Sequence, residues 1–284
     1  MMKIKHLGFC MILGLASSVA LTELGGNNLA SAAPAALSAT SSAVYSPVQS
    51  TYRPSNWQLW DPVQGQVQVC NSDANSQDFM ANQPSFMKII NSNVSEGMKY
   101  TAASQNAVDV QRLYLFSDYA PRIYFLMDGG ASTSALGVTI GPAAPLNGQP
   151  PAGSNYLVFP NANSSYSNSY KTQPNGRTQT VPMFSGDFVQ LPTVKKGQEL
   201  ALVLFGHLDS NGNPTQTYYI DPKANADNFQ HAVAFFPLDS RYIIVAWENT
   251  PGGGDADFND TIIVVDVGQA NADYLKTLNS TLPK

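Results

Sequence analysis

The sequence predicts an all-β protein, a jelly-roll-like β-sandwich with one short N-terminal helix, and three observations lead there. Nine short runs rich in β-branched and aromatic residues alternate with clusters of Gly, Pro, Asn and Asp, the residues of turns. Only 12% of the 284 residues are Asp, Glu, Lys or Arg, about half the ordinary ~25%. Polarity is carried instead by Asn, Ser, Gln and Thr, which suits strands and loops better than surface helices laced with charged pairs.

The elements follow in chain order. Residues 1–32 read as a signal peptide: Lys3, Lys5 and His6 precede an apolar run at 7–16, and Ala30-Ser31-Ala32 offers a small-residue cleavage site. That run is shorter than the ~20 residues a membrane-spanning helix needs, and no later stretch reaches this length. Residues 33–52 are mostly Ala, Ser, Thr, Pro and Val, the composition of a linker that cannot bury enough surface to order itself. A single domain is expected from 53 to 284.

Within it, WQLWDPVQGQVQV (57–69) suggests a strand and FMANQPSFMKIINSNV (79–94) a short helix. The strand runs are VQRLYLF (110–116), RIYFLM (122–127), ALGVTI (135–140), NYLVF (155–159), ELALVLFGH (199–207), TQTYYI (215–220), HAVAFFP (231–237), RYIIVAW (241–247) and TIIVVDV (261–267). NGQPPAG, QPNG and DSNGNP supply turns, and NANSSYSNSY (161–170) reads as a surface loop.

Several functions are excluded or disfavoured. A net charge of -5 and a pI near 5.0 leave no basic face for nucleic acid or anionic lipid. Cleavage of the leader removes Cys10 and leaves Cys70 alone, so an exported monomer has no internal disulfide. His207 and His231 are then the remaining histidines, too few for a three-histidine metal site, and GASTS breaks the nucleophile-elbow pattern. The chain reads as a non-enzyme, although a carboxylate pair for glycoside hydrolysis depends on spacing that sequence does not give.

The informative segment is WENTPGGGDADFNDTIIVVDV, residues 247–267. It crowds Glu248, Asp255, Asp257, Asn259 and Asp260 around three glycines between two apolar strands. Carboxylates that close repel unless a cation lies among them. A hard cation taking six to eight oxygens fits, with the Phe258 carbonyl completing the shell, and calcium suits it better than magnesium or zinc. The glycines accept positive φ and bend Glu248 back towards the DADFND oxygens. The competing reading is a solvated acidic hairpin turn. DSNGN (209–213) is a weaker oxygen-rich turn, equally explained as an Asn-Gly hairpin, and Asp221, Asp227 and Asn228 are further oxygen sources.

PGGGDADFND, preceded by an apolar strand and Glu248 and followed by TIIVVDV, resembles the signature of a bacterial domain-of-unknown-function family of exported and cell-surface proteins, written E-D-x-P-G-G-G-D-x-D-F-N-D. HAVAFF, TYYIDPKANAD, KKGQELALVLFG, FLMDGGASTSALGVTI and SFMKIINSNVSEGM extend the likeness back to about residue 80, the last resembling a short helix and Pro-Glu-Gly turn. Two departures stand out: Asn249 replaces an Asp, which implies one ligand charge fewer, and Val138-Thr139 replace paired aromatics. The resemblance implies a calcium-binding β-sandwich of surface or matrix proteins and no catalysis. The expectation is therefore a secreted, cell-surface or periplasmic calcium-binding module in adhesion or extracellular matrix, with a surface glycan or matrix component as partner. A calcium-dependent lectin and a secreted glycan hydrolase are the alternatives.

Overall fold

Alternation of side chains decides the layering. In a computed structural model, described for residues 58–59, 67–70, 73–101, 107–108, 113–143, 147–162, 183–209 and 213–280, the elements in order are β1 (Gln58–Leu59), α1 (Ala74–Asn93), β2 (Ala107–Val108), β3 (Arg122–Met127), β4 (Ala135–Pro142), β5 (Ser154–Phe159), β6 (Phe188–Gln190), β7 (Gln198–Leu208), β8 (Pro214–Tyr219), β9 (Ala232–Phe235), β10 (Tyr242–Trp247), β11 (Thr261–Asp266) and α2 (Gln269–Ser280). The expected leader and linker lie outside these residues. A five-stranded sheet has the order β1-β5-β4-β7-β8 and a six-stranded sheet the order β2-β9-β10-β11-β3-β6. All pairings are antiparallel except β1 with β5. The chain is thus mostly strands in two sheets, consistent with a β-sandwich. β9, β10 and β11 form a meander where a jelly roll would place Greek-key crossings.

Along β10, Ile243, Val245 and Trp247 join the core between the sheets, while Tyr242, Ile244 and Ala246 join a second cluster under α1. β11 divides the same way, Ile263 and Val265 against Ile262 and Val264. The central strands of the six-stranded sheet are therefore buried on both faces. Helix α1 lies on the outer one through Phe79, Phe86 and Ile90, whose spacing of seven and four residues makes a single stripe.

The helix is longer than expected, twenty residues starting at 74. Asp73 caps it, its Oδ1 accepting from the Ser76 amide at 2.7 Å. The same carboxylate holds Arg122 Nη1 at 3.0 and 3.1 Å, and Asp78 lies 3.2 Å from Arg241 Nη2, so two arginines pin the helix start to the sheet. α2, unforeseen in the sequence, adds Ala272 and Leu275 to the core. The run at 110–116 forms no strand among its described residues: Tyr114 makes an isolated bridge to Glu199.

Candidate metal centre

The acidic segment connects β10 to β11, and alternation continues through it. Asp255, Asp257 and Asn259 line a cleft of about 370 Å³, while Ala256 and Phe258 pack into the cluster under α1. Both intervening residues are held at φ 58, a left-handed conformation that costs a non-glycine residue about 1–3 kcal/mol. The Phe258 ring anchors this backbone, its centroid 5.5 Å from Tyr100 and 6.3 Å from Phe229. Phe258 itself does not line the cleft, so the carbonyl role expected of it gains no support from its position.

The other expected oxygens do come together. Glu248 leaves the end of β10, Asp260 precedes β11, and both line the same cleft as Asp255, Asp257 and Asn259. Gly253, at φ 85, passes so close to the Phe229 ring that a Cβ there would enter it, which is why this turn needs glycine. Asn249 also lines the cleft, but its side-chain amide donates to Ser134 Oγ at 3.1 Å and its backbone amide to Asp260 Oδ2 at 2.7 Å.

Sequence reasoning missed two contributors. Glu96, in the turn after α1, lies more than 150 residues from the acidic segment, and one of its carboxylate oxygens falls within 4.8 Å of those of Asp255 and Asp257, a grouping that could hold a metal ion. The Gly97 amide donates to Asp257 Oδ2 at 2.7 Å. Gly129 and Gly130, following β3, form a wall without side chains: a Cβ would come within 2.5 Å of Asn259 Oδ1 at the first and 2.7 Å of Asp260 Oδ1 at the second. The Glu-Gly turn and the Asp-Gly-Gly run were the available signals, and neither carries a partner's address.

Electrostatics set the character of the cleft. Its lining holds Asp, Glu, Asn, Ser, Thr, Gly and Ala, with no Lys, Arg, His or Cys. Glu248 is 1% exposed, and its Oε2 meets no donor. Burial, then the Asp260 carboxyl beside it and the Asp255 charge, pushes Glu248 up to about 8. A buried carboxylate oxygen without a donor, among other carboxylates, is satisfied by a proton or by a cation. Burial also pushes Asp257 up to about 6, with Asp255 and Glu96 adding to the effect against the pull of the Gly97 and Asn259 amides.

The weaker candidates fall elsewhere. Asp209 accepts from the Asn213 amide at 2.9 Å, closing the β7–β8 turn whose residues 210–212 lie outside the described set. Asp221 accepts from the Gly148 and Lys223 amides. Asp227 accepts from the Gly252 amide at 2.7 Å and from His231 Nε2 at 2.9 Å, bracing the glycine turn from outside the cleft. His231 is fully buried, and its Nδ1 lies 2.8 Å from the Glu248 carbonyl, so both histidine nitrogens serve the backbone and carboxylate around the turn. His207 Nε2 lies 3.0 Å from the Asn249 carbonyl.

Among the described residues, no helix is long and apolar enough to cross a membrane. No curated protein and no solved structure matches the chain. Residues 194–268, which run from before β7 to just past β11 and include the acidic turn, match the family described as Domain of unknown function (DUF4114).

Proposed function

We propose that the protein is a secreted or surface-attached calcium-binding module, a monomeric β-sandwich that acts in adhesion or extracellular matrix and engages a surface glycan or matrix component. The observation that carries the reading is the buried Glu248 oxygen that meets no donor, facing a cleft lined by four further carboxylates and no basic side chain. Glu248, Asp255, Asp257, Asn259 and Asp260 would hold the ion. An all-oxygen donor set suits calcium, which accepts irregular geometry and many ligands, better than zinc, which takes nitrogen and sulfur. Bound there, calcium would neutralise the crowded carboxylates and brace a loop whose backbone is strained.

Melting curves in calcium, in magnesium and in chelator test this. At the ~0.1 to 1 mM affinity of extracellular modules, a twentyfold excess of calcium over Kd adds roughly 1.8 kcal/mol. For a domain of this size that is about 4 to 7 °C in Tm. The exposed Asp255→Asn should remove much of the shift and Asp257→Ala nearly all of it, while Asp209→Ala should retain it. Equal Tm in all three solutions, starting from metal-free protein, overturns the reading. A glycan array probed with and without chelator then asks whether the ion contacts a ligand.

A further inference from the structure

We propose that Glu96 is a ligand of the same cation, so that binding fastens the turn after α1 onto the acidic loop; this rests on the calcium reading above. The two ends of α1 are held by opposite means. At its start, arginines bridge to carboxylates: Arg122 to Asp73 and Arg241 to Asp78. At its far end the turn brings Glu96 up against Asp255 and Asp257, acid against acid, in a cleft that no basic side chain lines. A divalent cation supplies there what the arginines supply at the start. The same cleft contains the buried Glu248 oxygen that meets no donor, an independent acceptor that a proton or a cation would satisfy.

Hydrogen bonds already hold the turn in register. The Gly97 amide donates to Asp257 Oδ2 at 2.7 Å, the Tyr100 amide to the Ala256 carbonyl at 2.8 Å, and Asn259 Nδ2 to Glu96 Oε2 at 3.3 Å. They do so against repulsion among Glu96, Asp255 and Asp257, so in metal-free protein these contacts open readily, and calcium closes them. Glu96 lies before residues 194–268, the stretch matched by the family.

Amide exchange over residues 95–100, together with calorimetric titration of CaCl₂ into the full metal-free chain, tests the proposal. In the wild type, calcium should slow exchange at Gly97 and Tyr100 about tenfold. Glu96→Gln, on an exposed turn, should bind calcium about tenfold more weakly and lose most of that added protection. In chelator its amides should exchange no faster than the wild type's, because the repulsion is gone. Wild-type affinity and equal protection in Glu96→Gln overturn the role of Glu96. So does calcium binding that leaves exchange at Gly97 and Tyr100 unchanged, in which case the calcium reading itself stands. Absence of calcium binding to the wild type removes both.

Discussion

At the scale of single residues, the unusual group is Glu248. Its carboxyl is held at about 8 by burial and by Asp260 beside it, whereas in the unfolded chain it titrates at the ordinary ~4.3. Between these values the folded state binds more protons than the unfolded one, so stability falls as pH rises through that window. Asp257, held at about 6, contributes in the same sense. In chelator the urea midpoint should therefore decline from pH 5 to pH 8, with a shallower decline in Glu248→Gln and the loss offset by excess calcium at pH 8. A midpoint with the same pH dependence in wild type and Glu248→Gln would show that the carboxyl is not held in this way. These acids were legible as a candidate cation site because they lie within a dozen residues of one another. Glu96, Gly129 and Gly130 were not, since their relation to the loop exists only after strands distant in sequence pair. The place of Phe258 was hidden for another reason: its side chain and that of Ala256 turn to the apolar layer while Asp255, Asp257 and Asn259 line the cleft, a division that depends on the packing under α1.

At the scale of elements, the strands from β3 to β11 were largely readable from β-branched runs bounded by turns. YIIVAW and TIIVVD carried a further message in their lack of polar alternation: both faces of these strands are covered, one by the other sheet and one by α1. The helix read at 79–94 already spans Pro84; the part it omits is 74–78, ANSQD, whose polar residues lack the apolar spacing of a helix face. In the folded chain Pro84 sits on the exposed side, where water can serve the carbonyl it leaves without a donor. The helix is bound to the sheet by packing, with Phe86 fully buried and its ring 5.3 Å from Tyr242. Phe86→Ala should accordingly cost about 3–5 kcal/mol in chemical denaturation, and a loss below 1 kcal/mol would mean that α1 is peripheral to the fold. The described part of the run at 110–116 forms no strand because apolar composition marks burial: Leu113 and Leu115 are buried, and Tyr114 makes an isolated bridge to Glu199 beside backbone bonds of Leu113 and Leu115 with the start of β7.

At the scale of the whole molecule, the six-stranded sheet has two chemically different ends. One end gathers Arg122, Arg241 and Asp266, with Arg241 Nη2 3.3 Å from Asp266 Oδ2, and its charges largely cancel. The other end collects Glu96, Glu248, Asp255, Asp257 and Asp260 in a cleft with no basic residue in its lining, on a chain of net charge -5. Such an arrangement projects a field into solvent and acts on an ion long before contact, drawing it along a gradient towards the mouth. The speed of capture, and not only its strength, is then under the control of the surrounding electrolyte. As salt rises from 0.01 to 0.15 M the screening length shrinks from about 30 to about 8 Å, so stopped-flow association of calcium should slow by several-fold while dissociation changes little. An association rate indifferent to salt would mean that the ion finds the cleft by collision alone.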